Sequence, residues 1–99
     1  MRHQNRFGVA FRAVRQASNR TQEDFAYESG RTYISELERG RKQPTLQKVD
    51  ELAIPLGVHP LTLLSLAYLT NYDISSLAAL LEQVRTEVEE VLKLASPAP

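Results

Sequence analysis

Residues 25–44 read FAYESGRTYISELERGRKQP. Gly30 separates two short helical pieces, and Gly40 stops the second just before Arg41 and Lys42. A glycine after a helical run suits the positive-φ position that closes a helix. Tyr33, Ile34 and Leu37 supply the apolar face of the second piece. The chain carries a formal net charge of +0, yet positive charge gathers here. Residues 1–50 hold ten Lys and Arg against six Asp and Glu, a net +4; residues 51–99 hold two against six, a net −4. A basic half is suited to a polyanion.

Helical periodicity extends outward from this stretch in both directions. Upstream, Phe7, Ala10, Phe11 and Val14 recur at i, i+3, i+4 and i+7, which predicts a first helix over roughly 6–17. Asn19 tolerates a left-handed conformation and breaks it. Thr21 is the expected cap of the second helix, with Asp24 at the third position as in a capping box. Downstream, Thr45 is the expected cap of a fourth helix whose apolar stripe is Leu46, Val49, Leu52 and Ala53. Pro55 should end or kink that helix, and Pro60 suits the first position of a fifth over roughly 60–70. Asp73 is the expected cap of a long sixth helix. Ile74, Leu77, Leu81, Val84, Val88, Val91 and Ala95 follow at alternating steps of three and four, a heptad seam.

The order of these elements, with their residues, resembles the Cro/repressor-type (XRE) family of helix-turn-helix regulators. The resemblance lies in FGVAFRAVR at 7–15, TQEDFA at 21–26, YISELERG at 33–40, RKQPTL at 41–46 and LAIPLGV at 52–58. It implies an all-α fold with a five-helix lambda-repressor-like domain over 1–72; beyond it, the heptad seam makes 73–95 the expected C-terminal dimerisation helix, and 96–99 is expected to be a frayed tail. Phe11, Val14, Phe25, Ala26, Ile34, Leu37, Leu46 and Leu52 are the domain's expected core. The third helix would enter the major groove while the second crosses the backbone. Arg31, Thr32, Ser35 and Glu36 are then the candidate base readers, since Arg chelates guanine and Glu accepts from cytosine. Gln22, Arg20, Tyr33, Arg39, Arg41 and Lys42 are candidate phosphate contacts. The resemblance also makes Arg15 and Glu38 a buried structural ion pair between the first and third helices.

Two departures from the family pattern stand out. Gly30 runs directly into Arg31, two residues short of the usual turn, and two residues rotate a helix by about 200°. Either the turn tightens or the third helix starts late with Thr32 as its cap; the second option is the preferred expectation, because it keeps Ile34 and Leu37 inward. Arg20 also stands where the family prefers leucine.

An exposed heptad seam must be covered, by the domain itself, by a second copy or by another protein. The expected function is a sequence-specific transcriptional regulator, a repressor acting as a homodimer on a palindromic operator in double-stranded DNA. The alternative is an antitoxin that binds both DNA and a toxin protein; a third is an interaction module without DNA binding. His3 and His59 have no partners at metal-ligand spacing and no nucleophile–base pair is evident, so neither an enzyme, a cofactor nor a metal is expected. With no cysteine and no apolar run beyond the nine residues at 61–69, the expected location is the cytoplasm, at the nucleoid.

Overall fold

The computed structural model describes residues 5–95; His3 and the tail at 96–99 lie outside the described residues, as do the side chains of Tyr27 and Glu28. The described residues are all-helical: α1 (Phe7–Ala17), α2 (Glu23–Ser29), α3 (Arg31–Glu38), α4 (Leu46–Leu56), α5 (Pro60–Tyr68) and α6 (Ile74–Leu94). They fall into two compact units that divide between Tyr68 and Leu69. No single helix among them is long and apolar enough to cross a membrane.

The first unit is built around the apolar face of α1. Phe7, Phe11, Ile34, Leu37 and Leu63 are its largest fully buried side chains. Each contributes about 1.5–3 kcal/mol through removal from water. Phe11 meets Phe25 edge to face at 5.1 Å between ring centres, which joins α1 to α2. The Arg6 N–H donates to the Ala67 carbonyl at 2.8 Å and ties the entrance of α1 to the last turn of α5. Val14 is only partly buried against this core, and so are Tyr33 and Val58.

Three helices close in the same way. Asn19, Gly40 and Gly57 all have positive φ. In each case the next N–H reaches back over the turn, Arg20 to Arg15, Arg41 to Glu36 and Val58 to Ala53. These are Schellman closures, and they satisfy carbonyls that the helix leaves unpaired. The N-terminal caps are equally local. Thr45 Oγ1 accepts from the Lys48 N–H at 3.1 Å, and Asp73 Oδ1 accepts from the Ser76 N–H at 2.7 Å. His59 Nδ1 accepts from the Leu61 N–H at 3.0 Å, so this histidine caps α5 behind Pro60.

Three expectations need correction. At α2, the Asp24 carboxylate accepts from the Thr21 N–H at 2.8 Å, which is one limb of a capping box, but the helix begins only at Glu23. In α4, Leu46 is 76% exposed and is not part of the core. It lies one turn ahead of Val49, and the buried stripe is Val49, Leu52, Ala53 and Leu56. Pro55, the expected end of that helix, lies one residue before it closes at Leu56.

The third correction concerns the short turn. The third helix does not start late: α3 begins at Arg31, and Thr32 lies within it. Gly30 alone makes the link, with φ 87° and ψ 137°. Its N–H donates to the Ala26 carbonyl at 3.0 Å and closes α2, while its carbonyl accepts from the Ile34 N–H at 3.2 Å and opens α3. One residue with positive φ therefore redirects the chain, and Ile34 and Leu37 stay fully buried without a cap at Thr32.

Gly8 has a separate role. A Cβ added there would lie 2.1 Å from the Leu37 carbonyl oxygen, so α1 rests directly on the end of α3.

In the second unit, α6 has an exposed apolar stripe and no buried residue. Ile74, Leu81, Val84, Val88 and Val91 are all more than two-fifths exposed. Arg85 bonds to Glu82 and to Glu89 on neighbouring turns. Such pairs support a helix by about 0.2–0.5 kcal/mol each.

Two stability measurements test these contacts. By helix propensity alone, Gly8→Ala should stabilise by about 1 kcal/mol. The approach of α1 to α3 predicts the opposite sign, a loss of about 1–3 kcal/mol in urea unfolding from overpacking against backbone. Gly30→Ala should cost about 1–3 kcal/mol through its backbone angle alone, since a Cβ there meets nothing within 4 Å. Thr32→Ala should stay within about 0.5 kcal/mol of the native chain; a larger loss would restore Thr32 as a cap.

Candidate nucleic-acid interface

The surface that gathers the sequence-predicted residues is built on a buried ion pair. The Arg15 Nε donates to Glu38 Oε2 at 2.6 Å, and its Nη2 to Oε1 at 3.1 Å. The two side chains are 10% and 4% exposed. The third nitrogen, Nη1, donates to the Arg20 carbonyl at 2.8 Å. Gln22 Nε2 adds a donor to Glu38 Oε1 at 3.0 Å. The hydrogen bond that Arg15 donates to Glu38 raises the Arg15 pKa above its ordinary value, against the opposing effect of burial. One carboxylate thus joins α1, the start of α2 and the end of α3. It sets how α3 sits against the other two.

The outer face of α3 carries Arg31 and Thr32 exposed, with Ser35 and Glu36 half-buried. Arg31 pairs with Glu23 on α2 at 3.4 Å. Glu36 pairs with Arg41 at 3.7 Å. Arg39 Nη2 donates to Ser35 Oγ at 2.7 Å. The Schellman closure at Gly40 leads the chain out of α3 into Arg41 and Lys42, both exposed. Arg20 is exposed beside the α1–α2 turn. Most of these groups therefore lie on α3 or on the segments that adjoin it.

Two of the residues expected at phosphates are placed differently from a free surface group. Gln22 is half-buried with its amide engaged by Glu38. Tyr33 packs against the core, with Lys48 Nζ 5.3 Å from its ring centre. Burial and then the nearby Glu51 charge push the Tyr33 phenol above its ordinary pKa.

Arg12 was not among the sequence-predicted residues. It lies three positions before Arg15 and is exposed, and it lines a groove with Gln22, Ser35 and Arg39. The i, i+3 spacing placed it on the face of Arg15, but only the fold puts that face beside α3.

A helix-turn-helix family profile matches residues 11–63, which is more than half of the chain. The control protein C.BamHI of Bacillus amyloliquefaciens is 38% identical over 70 residues, covering 68% of this chain and 86% of that protein. No solved structure matches the chain. The matched span runs from Phe11 in α1 to Leu63 in α5 and so includes the ion pair, the Gly30 turn and the outer face of α3. The chain belongs to the helix-turn-helix family and is a DNA-binding transcriptional regulator of the Cro/repressor (XRE) type.

Proposed function

We propose that this chain reads a palindromic DNA operator as a homodimer, with α3 in the major groove, and that it acts as a repressor. The observation that carries the reading is the outer face of α3. It presents Arg31, Thr32, Ser35 and Glu36 and runs directly into Arg41 and Lys42. Arg31 and Glu36 are suited to base edges, and Arg41 and Lys42 to phosphates. The Arg31–Glu23 pair is exposed on both sides, and Arg41 is itself exposed beside the half-buried Glu36; exposed pairs contribute about 0–1 kcal/mol. They are easily exchanged for contacts to DNA. The name of the relative, a control protein, agrees with a regulatory role.

The seam of α6 supports the dimer. Ile74, Leu77, Leu81, Val84, Val88 and Val91 follow a heptad pattern, and the most exposed of them is 79% open to solvent. Pairing two copies through this stripe buries it and brings two reading helices onto one site. Half-sites about 34 Å apart match one turn of DNA, and each bound half raises the effective concentration of the other.

The DNA reading is tested by titrating duplexes selected from random sequence, at several salt concentrations. The Arg41→Ala/Lys42→Ala variant should bind more weakly to every sequence and lose about 0.9 of salt slope per phosphate contact. Arg31→Ala should relax base preference instead. An unchanged affinity and slope in the double variant would refute the reading.

The dimer is tested by sedimentation. Leu81→Asp and truncation after Tyr72 should each give a folded monomer with much reduced affinity for a palindromic site. A truncated chain that remains dimeric would move the interface to α5, where Leu61 and Tyr68 are exposed.

A further inference from the structure

Between α1, α2 and α3 lies a groove of about 310 Å³, lined by Arg12, Arg15, Gln22, Ser35, Glu38 and Arg39. Its charges divide into two sets. Arg15 and Glu38 neutralise each other, and all three guanidinium nitrogens of Arg15 are engaged. Glu38 accepts three hydrogen bonds, two of them from Arg15, which balances its charge. Among the described residues Arg39 bonds only to neutral atoms, the carbonyl and hydroxyl of Ser35. Arg12 is exposed and makes no ion pair or hydrogen bond among the described residues. Two uncompensated guanidinium groups therefore line one recess, beside a serine hydroxyl and a glutamine amide.

We propose that this groove is a phosphate seat, in which Arg12 from α1 and Arg39 from the end of α3 grip one phosphodiester of the DNA backbone. The proposal rests on the DNA reading above and adds a contact from the first helix. Guanidinium groups suit the site, because their planar fork donates two parallel bonds to phosphate oxygens. The ion pair beneath matters as well. Among the described residues Glu38 is paired with Arg15 and is bonded to neither Arg12 nor Arg39. A contact here fixes where the backbone lies relative to α3 and carries no base preference of its own.

The test uses the full chain and two duplexes, one selected and one of random sequence. Arg12→Gln should weaken binding to both. One phosphate contact carries a salt slope of about 0.9. Between about 50 and 200 mM salt, the fall in affinity should then be about three to four times smaller per protomer than for the native chain. Arg12→Lys, which keeps the charge, should retain the native slope. Lys93→Gln loses the same charge on α6, from a side chain paired with Glu90, and should leave the slope unchanged. Thermal unfolding of Arg12→Gln should match the native chain, since the side chain is exposed and unbonded. If Arg12→Gln binds with native affinity and slope while Arg41→Ala/Lys42→Ala loses binding, the seat is refuted and the DNA reading stands. If the double variant also binds as the native chain does, the DNA reading fails and takes the seat with it.

Discussion

Arg15 sits almost out of water with each of its three nitrogens occupied, two by Glu38 and one by the carbonyl of Arg20. A guanidinium buried in this way is stable only while its carboxylate stays in place, and removing one partner of such a pair typically costs about 3–5 kcal/mol. The pair therefore acts as a geometric constraint. It joins the third-last residue of α1 to the last residue of α3, and through Gln22 it also includes the start of α2. The hydrophobic core beneath it holds the same helices together, but apolar contacts are non-directional. The bidentate bonds define an angle. The candidate base readers stand on α3, so their direction depends on a residue of α1 that does not itself face outward.

The same pair shapes the charge of the surface. It removes one arginine and one glutamate from the long-range balance without leaving either accessible. Around it, acids moderate the remaining cations unevenly. Arg31 and Arg41 face Glu23 and Glu36 at 3.4 and 3.7 Å, whereas among the described residues Arg12 makes no ion pair and Arg39 bonds only to Ser35. Exposed pairs are weak and are screened by salt. The first half of the chain, at net +4, thus keeps a positive field while some of its cations are held in defined positions.

The second unit poses a different physical problem. A helix of 21 residues with one apolar stripe is marginal in water by itself and gains most of its stability from packing. Its acids and bases form bonds along its own surface, through Arg85 to Glu82 and Glu89, and leave the stripe untouched. The stripe has no buried residue within the single chain. The proposed dimer resolves both facts with one interaction, since covering the stripe also couples two reading helices.

Much of this architecture was legible in the residues alone, because it depends on local chemistry. Apolar periodicity located six helices, Thr45 and Asp73 capped theirs through side chains three residues from the donor, and Asn19 and Gly40 took the positive φ that ends a helix. The family pattern brought Arg15 and Glu38 together across 23 positions, which spacing alone does not do. The rest was decided by the tertiary structure. The turn at Gly30 had two local solutions, and the tight one was selected by where Ile34 and Leu37 must pack. Leu46 satisfied the stripe of α4 but falls a turn beyond the layer that covers Val49. Gly8 looks like a weak point in a helix until the Leu37 carbonyl is placed against it. Arg12 looks like an ordinary surface cation until α1 is set beside α3. Caps and periodicities are determined within a few residues along the chain, whereas close approach and shared surfaces arise between helices distant in sequence, and only packing brings those together.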